Sequence, residues 1–550
     1  MGTITQRRAG NTEAYRAARD VLTRYRDDLD AARAHFRWPE LDRFNWTLDW
    51  FDAVADGNDQ VALTVVGPHT QSTSTYAQLA ERSKRVAGWL AGQGVSPGDV
   101  VLLVCGTRTQ FWEIMLAAMR LGVVLVPTFP TATPADLLDR IERARVRHVI
   151  AEPAVVPAID PLPVPGARVS FRPTPGWLNY EDAADAAPLG PVGRAGGDDP
   201  LFVYFTSGTT SAPKLIAHSH VSWPVGHLSS FYWNGLRPGE THCNLAAPGW
   251  AKHAWSSFFV PFTAQAGVLA FEEAAGDPGF VLDRLRASEV SSLCAPPTMW
   301  RRLVHAGLGL PPSQLRDATS VGERLPGELA DAVRAAWSVE LRDGYGQTEV
   351  TALIGTAPGA RTTDGALGHP LPGYDIVLVD PGSGRIGGDG EICVDLKGRP
   401  PGVRPWMAGE DGLYHTGDLA ETLPDGRIRC LGRTDDVFKS FDRRISPQEL
   451  ESVICGHPLV HDSAVVPIAH PVGDWEPKAY VELVAGASAG PDLAGEIFRL
   501  VARELPQERT LAALEFVAAL PRTQSGKVQR KPLRRLPAGQ GYRARDVTAG

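Results

Sequence analysis

The residues between Tyr204 and His220 combine side-chain types that bind phosphate groups. They read Tyr-Phe-Thr-Ser-Gly-Thr-Thr-Ser-Ala-Pro-Lys-Leu-Ile-Ala-His-Ser-His. The apolar run 201–205 predicts a strand, which feeds a loop of small hydroxyl residues, one Gly and Lys214. Backbone N–H groups and hydroxyls in such a loop donate to phosphate oxygens, and the Lys adds positive charge. The Walker A pattern is absent. The alternative interpretation is an ordinary Ser/Thr-rich surface loop.

A second motif, Asp343-Gly344-Tyr345-Gly346-Gln347-Thr348-Glu349, is suited to a flat ligand. Two Gly flank Tyr345, so the backbone can approach such a ligand while the ring stacks on it. Glu349 offers a hard oxygen for Mg²⁺. The alternative is a tight turn whose Tyr packs for stability.

Two further segments carry isolated charged residues. Asp418 follows Thr416-Gly417, and Arg433 comes fifteen residues later. A carboxylate can accept from two vicinal hydroxyls of a sugar, and the Arg can hold the same sugar; the alternatives are a solvated turn acid and a surface Arg.

Near the C-terminus, Ser525-Gly526 predicts a turn that holds Lys527 on a loop, where its ammonium suits a phosphate or carboxylate. The alternative there is a basic tail.

The composition limits the functional classes. The chain has 550 residues, which predicts two or more domains. The net charge of -8 gives no sign of a nucleic-acid partner, so an anionic ligand must meet local positive charge. The six Cys have no C-x-x-C spacing, which argues against a disulfide framework or a zinc site. The N-terminus lacks a signal-peptide pattern and no apolar stretch is long enough to span a membrane, so we expect a cytoplasmic protein.

Strand and helix patterns alternate along the first part of the chain, which predicts an α/β fold with parallel strands. The predicted elements are a charged helical region at 12–36, helices at 73–93, 111–121 and 137–144, and strands at 100–104, 123–127 and 148–151. The Pro-rich stretch 155–175 is expected to be a surface excursion between two sheets.

The C-terminal part changes character. Short strands with Gly turns over 382–429 predict a β-rich subdomain, and a small α+β unit follows. In that unit we expect helices at 447–454 and 495–505, and strands at 464–467, 479–483 and 514–517. The predicted domains are 1–433, a large domain of two αβ-layered sheet subdomains plus the β-rich subdomain, and 434–550, a small mobile lid.

Taken together, the four motifs resemble those of the adenylate-forming superfamily of acyl-CoA ligases, luciferases and peptide-synthetase adenylation domains. The resemblance covers nearly the whole chain, and it is strongest to the medium-chain and aromatic acyl-CoA synthetase branch. The segments that indicate this branch are 36–39, 44–52 and 249–257. The resemblance implies that a medium-chain, aromatic or similarly bulky carboxylic acid reacts with ATP to give acyl-AMP and pyrophosphate. The acyl group then passes to CoA.

The resemblance also implies a role for each matching residue. The ATP phosphates would be held by Thr206, Ser207, Gly208, Thr209, Thr210 and Lys214. Adenine would be lined by Gly322, Glu323, Arg324, Asp343, Gly344, Tyr345, Gly346 and Gln347. Thr348 would contact the α-phosphate, Glu349 and Thr209 would bind Mg²⁺, and Asp418 and Arg433 would bind ribose. Lys527 would bridge the substrate carboxylate and the α-phosphate. The acyl group would lie near Trp250, His253, Val321 and Gly346, with a core histidine as the alternative for His253. Asp435 matches the family's hinge position, about which the small domain would rotate between the two half-reactions.

Two residues depart from the family pattern. The loop 439–447 usually has Gly where this chain has Asp442, and that Gly lets the backbone approach the pantetheine of CoA; Lys439 and Arg444 keep their places. Ser211 replaces the second Gly of the phosphate loop. Asp442 puts thioester formation in question, and Ser211 puts adenylation in question.

These departures leave two other functions open. One is a ligase specialised for a single half-reaction, working with a partner enzyme or a carrier protein. The other is a nucleotide- or acyl-binding homologue without catalysis, against which Lys214, Glu349 and Lys527 argue. The sequence does not give the oligomeric state, although a homodimer is common for the resemblance.

Overall fold

The computed structural model describes residues 2–41, 43–190, 196–206, 213–272, 276–362, 365–403, 407–440, 443–470, 475–505, 510–522, 528–536 and 541–547. These residues form two compact units. The first comprises described residues of Met1–Thr206, Pro213–Asp375 and Asp395–Tyr414, and the second those of Ile376–Val394 and His415–Gly550. The predicted division at 433/434 stays a prediction.

The first unit contains two sheets. Its strands are β1 (Val61–Val66), β2 (Gln71–Thr75), β3 (Val100–Val104), β4 (Val124–Thr128), β5 (His148–Ala151), β6 (Arg168–Ser170), β7 (Leu178–Asn179), β8 (Pro200–Thr206), β9 (Lys214–Ser219), β10 (Thr241–Asn244), β11 (Gly267–Phe271), β12 (Ser292–Ala295), β13 (Asp317–Val321), β14 (Leu341–Gly346), β15 (Ala352–Gly355) and β16 (His369–Pro370).

Both sheets are mostly parallel. The larger has the order β16-β15-β14-β13-β12-β10-β11-β1-β2, with parallel pairing from β14 to β1 and antiparallel strands at its edges. The smaller has the order β7-β6-β5-β3-β4-β8-β9, and only β9 among these described strands pairs antiparallel. Central strands such as β3 (Val-Val-Leu-Leu-Val) read as continuous apolar runs because helices cover both faces.

Helices connect the strands of the first unit. They are α1 (Gly2–Arg24), α2 (Leu29–His35), α3 (Asp52–Ala55), α4 (Tyr76–Gly92), α5 (Thr109–Leu121), α6 (Pro134–Arg143), α7 (Val156–Ile159), α8 (Ser222–Asn234), α9 (Ala251–Ala254), α10 (Val260–Ala264), α11 (Pro278–Ala287), α12 (Pro297–His305) and α13 (Gly327–Trp337). The start of α4 shows why a helix begins there: Thr75 accepts from the Gln78 N–H and the Gln78 side chain accepts from the Thr75 N–H. None of the described helices is long and apolar enough to cross a membrane.

The core of the first unit is rich in aromatic side chains. Phe44, Trp46, Trp50 and Phe51 are all buried in it, and the Trp50 indole N–H donates to the Phe262 carbonyl over 3.1 Å. The segment 44–52, which indicated the acyl-CoA synthetase branch, is therefore part of the hydrophobic core.

The second unit begins with a β-rich segment and ends in a small α+β layer. Its strands are β17 (Asp375–Val379), β18 (Ile386–Gly387), β19 (Asp389–Asp395), β20 (Leu413–Thr422), β21 (Ile428–Arg433), β22 (Phe438–Ser440), β23 (Arg443–Ile445), β24 (Val460–Ala469), β25 (Trp475–Leu483), β26 (Ala513–Val517) and β27 (Tyr542–Arg543). Its helices are α14 (Pro447–Cys455), α15 (Pro491–Glu504), α16 (Arg530–Leu533) and α17 (Ala544–Val547). The strands form sheets of order β18-β17-β19-β20-β21 and β24-β25-β26-β27, with β22 and β23 as a separate hairpin.

The predicted fold class is confirmed: a large part built on α/β sheets is followed by a small α+β part. Strands β3 and β5 have the predicted bounds. The prediction for 155–175 was wrong in part, because β6 lies within it and pairs with β5, and Ile159 and Val169 are buried. The helix predicted at 73–93 begins later because residues 71–75 form β2, which pairs with β1.

Candidate active site

The phosphate-binding motif is carried by a β-hairpin. Strands β8 and β9 pair antiparallel, with Thr206 opposite Lys214, so both residues stand where the hairpin enters its loop. Lys214 is exposed. The other predicted phosphate ligands lie outside the described residues; these are Ser207, Gly208, Thr209 and Thr210. Ser211, which departs from the family pattern, also lies outside them.

A buried histidine joins this hairpin to the second motif. His218 on β9 lies with Nε2 2.6 Å from the carbonyl oxygen of Thr348. Because a carbonyl oxygen only accepts, His218 Nε2 carries the proton of this hydrogen bond. Its ring packs on Trp223, with centroids 3.8 Å apart. The strand that follows the phosphate loop is thus fixed to the turn that follows β14.

The carboxyl end of β14 is held by a buried aspartate. Asp343 is fully enclosed, and its carboxylate accepts from the Gly344 N–H over 2.9 Å. Burial raises the pKa of Asp343 to about 8, opposed by the Gly344 N–H and by the nearby charge of Arg324. Asp343 is thus a buried side chain that accepts from the backbone of its own motif. Its predicted place beside adenine stays a prediction.

Glycines at this end allow close backbone approach. A Cβ on Gly346 would lie 2.3 Å from the Thr351 carbonyl oxygen, where β15 turns back along β14. A Cβ on Gly344 would lie 2.4 Å from the Trp233 ring. Gly322, directly after β13, has φ +105, a conformation that favours glycine. Glu323 and Arg324 follow it and are half-buried.

Arg342, the residue before Asp343, is a buried cation that stabilises the fold. Its guanidinium donates to the carbonyls of Trp233, Asn234 and Thr356, and lies 3.1 Å from Asp317 Oδ1. Its side chain is 2% exposed and that of Asp317 is 6% exposed. This residue fixes β14 just before the motif begins.

The residues on either side of Gly346 are less buried than Asp343. Tyr345, Gln347, Thr348 and Glu349 are half-buried, and Gln347 accepts from the Tyr414 hydroxyl over 2.8 Å. Within the described part of the chain no hydrogen bond or ion pair occupies the Glu349 carboxylate. A half-buried carboxylate with no partner there is the donor expected of a Mg²⁺ ligand, so Glu349 fits that ion.

Three strand ends surround the predicted acyl residues. The Trp250 ring lies 6.1 Å from Phe129, the residue after β4. Lys252 Nζ donates to the carbonyl of Val321, at the end of β13, over 3.0 Å, and Val321 pairs with Gly344 on β14. Trp250, Val321 and Gly346 are therefore set by strands that end on the same edges of their sheets, where open α/β sheets bind ligands.

His253 is a buried, neutral ring. It packs edge-on against Phe111 at 4.9 Å and near Trp112 at 5.5 Å, and burial lowers its pKa to about 3. Among the described residues its Nδ1 has no hydrogen-bond partner. These surroundings resemble a packed core position, and a role for His253 in acyl binding stays a prediction.

In the second unit, the predicted sugar-binding pair is brought together. Asp418 and Arg433 are opposite each other across β20 and β21, and Arg433 Nη1 lies 3.4 Å from Asp418 Oδ2. The same Arg atom donates to the Thr416 carbonyl over 3.1 Å. Gly417 between them has φ +74, and a Cβ there would lie 2.8 Å from Arg433 Nη2. The backbone of β20 at Gly417 therefore passes close to the Arg433 guanidinium.

The hinge segment is tied to the C-terminal helix α16. Asp436, one residue after the predicted hinge Asp435, is buried and pairs with Arg530 at 3.0 Å and Arg534 at 2.8 Å. Arg530 also pairs with Glu451 at 2.6 Å. Lys439 and Arg444 are opposite each other in the β22–β23 hairpin, while Asp442 and Lys527 lie outside the described residues.

Several residues of this site have no signal of their own in the sequence. His218 and Lys252 lie within segments already singled out, but only the folded contacts with Thr348 and Val321 give them a role. Arg342 and Arg530 are single charged residues, which sequence patterns do not distinguish from surface arginines.

Comparisons with known proteins agree with this arrangement. A family model described as AMP-binding enzyme matches residues 50–399, and one described as AMP-binding enzyme C-terminal domain matches residues 449–527. The chain is 34% identical to 4-hydroxybutyrate–CoA ligase 1 of Metallosphaera sedula, over 90% of this chain and 91% of that one. It is 32% identical to human acyl-coenzyme A synthetase ACSM5, mitochondrial, over 84% of this chain and 83% of that one.

Solved structures show the same fold. Anthranilate CoA ligase AuaEII, in complex with anthranoyl-AMP, superposes with a TM-score of 0.81 at 24% identity, covering 90% of this chain and 97% of that one. A benzoate CoA ligase from Burkholderia xenovorans LB400 gives a TM-score of 0.77 at 25% identity, covering 89% and 100%. The predicted superfamily is confirmed. The chain belongs to the AMP-binding enzyme family.

Proposed function

We propose that this chain, an AMP-forming acid–thiol ligase, acts on a medium-chain, aromatic or similarly bulky carboxylic acid. The observation that most directly supports the nucleotide site of this ligase is the hydrogen bond of His218 to the Thr348 carbonyl. It joins the hairpin that carries the phosphate loop to the turn after β14, which carries Glu349 and directly follows the strand that carries Tyr345. A nucleotide bound along both would have its phosphates at one motif and its base at the other.

The first half-reaction turns a poor electrophile into a good one. The acid's carboxylate oxygen attacks the α-phosphorus of ATP, a P–O bond to pyrophosphate breaks, and an acyl-phosphate anhydride forms. We assign Lys214, Thr206 and the loop 207–210 to the departing phosphates, and Thr348 to the α-phosphate. Mg²⁺ held by Glu349 and Thr209 would neutralise phosphate charge. Lys527 would contact both reacting groups as negative charge develops, a contribution of about 10²–10³ in rate.

Further groups are assigned to the nucleoside. The surface near Gly322, Glu323, Arg324 and Tyr345 would bind adenine, with Asp343 supporting it from beneath. Asp418 would accept from the two ribose hydroxyls. Arg433 holds that carboxylate at 3.4 Å and would donate to the same sugar.

The acid is assigned to the region near Trp250, Val321 and Gly346. A Trp at this place suits a flat or extended apolar group, because burying such a group against an aromatic face gains free energy that acetate cannot supply. Solved structures with this fold include anthranilate and benzoate CoA ligases, and the curated relatives include a 4-hydroxybutyrate CoA ligase. The class proposed includes the two aromatic acids and does not choose between them.

In the second half-reaction the thiol sulfur of CoA attacks the acyl carbon and AMP leaves. We assign Asp435 as the hinge about which the small domain rotates between the first and the second half-reaction. Asp442, in place of Gly, would hinder the approach of pantetheine, so a slow CoA step or a carrier-protein thiol is the second candidate. We place the reaction in the cytoplasm, because six free cysteines suit a reducing compartment.

A panel of acids tests the acid class. Benzoate, 2-aminobenzoate, hexanoate, 4-hydroxybutyrate and acetate are compared for acid-dependent pyrophosphate release and, separately, for thioester formation. We expect a bulky acid to have the highest kcat/KM for pyrophosphate release and acetate the lowest. Acetate as the best substrate would contradict the proposal.

Measuring the two half-reactions separately also tests the departures from the family pattern. Asp442→Gly should speed thioester formation and leave the adenylation rate unchanged. No gain would rule out a hindrance at Asp442. Absence of acid-dependent pyrophosphate exchange in the unchanged protein would mean that adenylation is impaired, as the replacement of Gly by Ser211 puts in question.

A further inference from the structure

Three side chains that bind transition metals meet on the β-rich sheet of the second unit. Glu391 and Cys393 lie on β19, and His415 lies on the neighbouring β20. Residues i and i+2 of a strand share one face, so the carboxylate and the thiol point the same way. One potential ligand atom from each of the three lies within 4.8 Å of the other two.

The distances between these atoms are close to those around one bound ion. His415 Nδ1 lies 3.3 Å from Cys393 Sγ and 2.9 Å from Glu391 Oε2. Around a tetrahedral Zn²⁺, ligand atoms stand about 3.4–3.6 Å apart, as follows from metal–ligand bonds of about 2.0–2.3 Å. An outward movement of a few tenths of an ångström would therefore suffice, with one position left for water.

The surroundings favour an ordered site. The other carboxylate oxygen of Glu391 accepts from the Gly417 N–H over 2.7 Å, which orients the carboxylate as outer-shell partners do in metal centres. Cys393 is fully buried, whereas His415 is exposed, with its side chain 38% accessible. An ion can thus enter from the His415 side and reach the thiol beneath.

We propose that Glu391, Cys393 and His415 form a binding site for one thiophilic divalent ion of the Zn²⁺ type. One thiolate, one imidazole and one carboxylate suit such an ion better than Mg²⁺, which prefers oxygen ligands alone. When the ion binds, a bond forms from Sγ to the metal and the thiol proton leaves to solvent. The site is separate from the Mg²⁺ position assigned to Glu349 and Thr209, and its existence does not rest on the proposed function.

The metal site lies close in sequence and by hydrogen bonding to Asp418, the residue assigned to the ribose. His415 is three residues before Asp418, and Glu391 holds the N–H of Gly417, the residue before that carboxylate. An ion here would fix residues 416–418 of β20 and would add positive charge next to them.

Cobalt titration of the full chain, without ATP, tests the proposal, because a thiolate bound to Co²⁺ gives an intense near-ultraviolet charge-transfer band. We expect the band to saturate at one equivalent, to be displaced by Zn²⁺ and to disappear in Cys393→Ser. The control Cys430→Ser changes a partly exposed thiol on β21 of the same sheet and should keep the band.

His415→Asn keeps Cys393 and its packing, so it tests the site if Cys393→Ser folds poorly. It should weaken Co²⁺ binding by more than about tenfold, the lower end of the effect of losing even an outer-shell group. Absence of the charge-transfer band, or a band unchanged in Cys393→Ser or His415→Asn, would overturn the proposal and leave an adventitious surface ion only.

Discussion

Two arginine–aspartate pairs, one in each unit, stand next to predicted nucleotide-binding residues and differ in their surroundings. Arg342 and Asp317 in the first unit are 3.1 Å apart with side chains 2% and 6% exposed. Arg433 and Asp418 in the second are 3.4 Å apart with side chains 31% and 12% exposed. Each pair joins two neighbouring strands, β13 and β14 in the first unit and β20 and β21 in the second. Only the second pair has a guanidinium that is partly exposed to solvent.

The difference separates a structural pair from one available to a ligand. Arg342 donates from Nη1 and Nη2 to three backbone carbonyls and Asp317, and its Nε is buried, so the guanidinium stabilises β14 and is closed to solvent. Arg433 Nη1 donates to the Thr416 carbonyl over 3.1 Å and lies 3.4 Å from Asp418 Oδ2. Loss of the first should unfold the chain, whereas loss of the second should weaken nucleotide binding.

The largest effect is expected from Arg342→Met. The change leaves the buried carbonyls of residues 233, 234 and 356 without their Arg342 donor. Because Asp317 keeps Arg26 and Arg316, the expected loss of about 3–5 kcal/mol of unfolding free energy comes from these carbonyls, each of which costs about 1–3 kcal/mol when left unsatisfied. Urea unfolding followed by tryptophan fluorescence measures it. The control Arg334→Met removes an arginine of the same unit whose side chain is 34% exposed, and it should cost less than about 1 kcal/mol. Equal losses in both variants would contradict the distinction.

A second, smaller loss is expected from Arg530→Met. This arginine holds Asp436 and Glu451, with all three side chains at most 15% exposed. Asp436 keeps Arg534, so we expect about 2 kcal/mol, less than for a fully broken buried pair. The second unit alone should become more sensitive to proteolysis. Arg503→Met, whose arginine is 70% exposed, is the matched control and should resist as the unchanged chain does.

Asp343→Asn tests the buried carboxyl beneath the second motif through pH. The folded pKa of about 8 lies above the usual value of 3.8, so the folded chain holds a proton that the unfolded chain has lost. The stabilisation from this group is complete below about pH 4 and is lost as the pH rises through about 8. Asn has no such proton.

In that window the unfolding free energy of the unchanged chain should fall relative to that of Asp343→Asn by up to about 1.4 kcal/mol per pH unit. Urea unfolding at several pH values between 5 and 8 follows the difference. Asp283→Asn, at a side chain 78% exposed, controls for the loss of a charge and should show a constant difference. A constant difference for Asp343→Asn as well would refute the raised pKa.

The smallest change in stability is expected from Arg433→Met. An ion pair this exposed contributes less than about 1 kcal/mol, but loss of one charged hydrogen bond to ribose should raise the KM for ATP about tenfold. Arg429→Met is closely matched, because Arg429 lies on the same strand with the same 31% exposure and pairs with Glu421. An equal rise in KM for both variants would show that Arg433 acts only through general charge.

The contrast also shows what sequence could and could not predict. β3 and β5 were predicted with their observed bounds because parallel strands buried on both faces are short apolar runs. β2 was missed since its Gln-Ser-Thr-Ser-Thr sequence is polar, and it is a strand only because it pairs with β1 at the sheet edge. β6 was missed because Pro residues on both sides hid a three-residue strand.

For the site, residue identity predicted more than position did. Asp418 and Arg433 were paired from their chemistry, and the register of β20 and β21 brings them together. Asp343 was assigned to the adenine surface, but its burial depends on how β14 packs against Trp233 and Leu325, which no local pattern encodes. Glu391, Cys393 and His415 were missed because their spacing follows strand pairing, whereas metal motifs in sequence are read from local spacing.

The measurement that tests the central claim most directly is the product balance of one reaction. The chain is incubated with ATP, CoA and its best acid, and AMP, pyrophosphate, ADP and thioester are quantified together. An AMP-forming ligase predicts AMP, pyrophosphate and acyl-CoA in equal amounts, all dependent on the acid, without ADP. Formation of ADP and phosphate, or of AMP at the same rate without acid, would contradict the account.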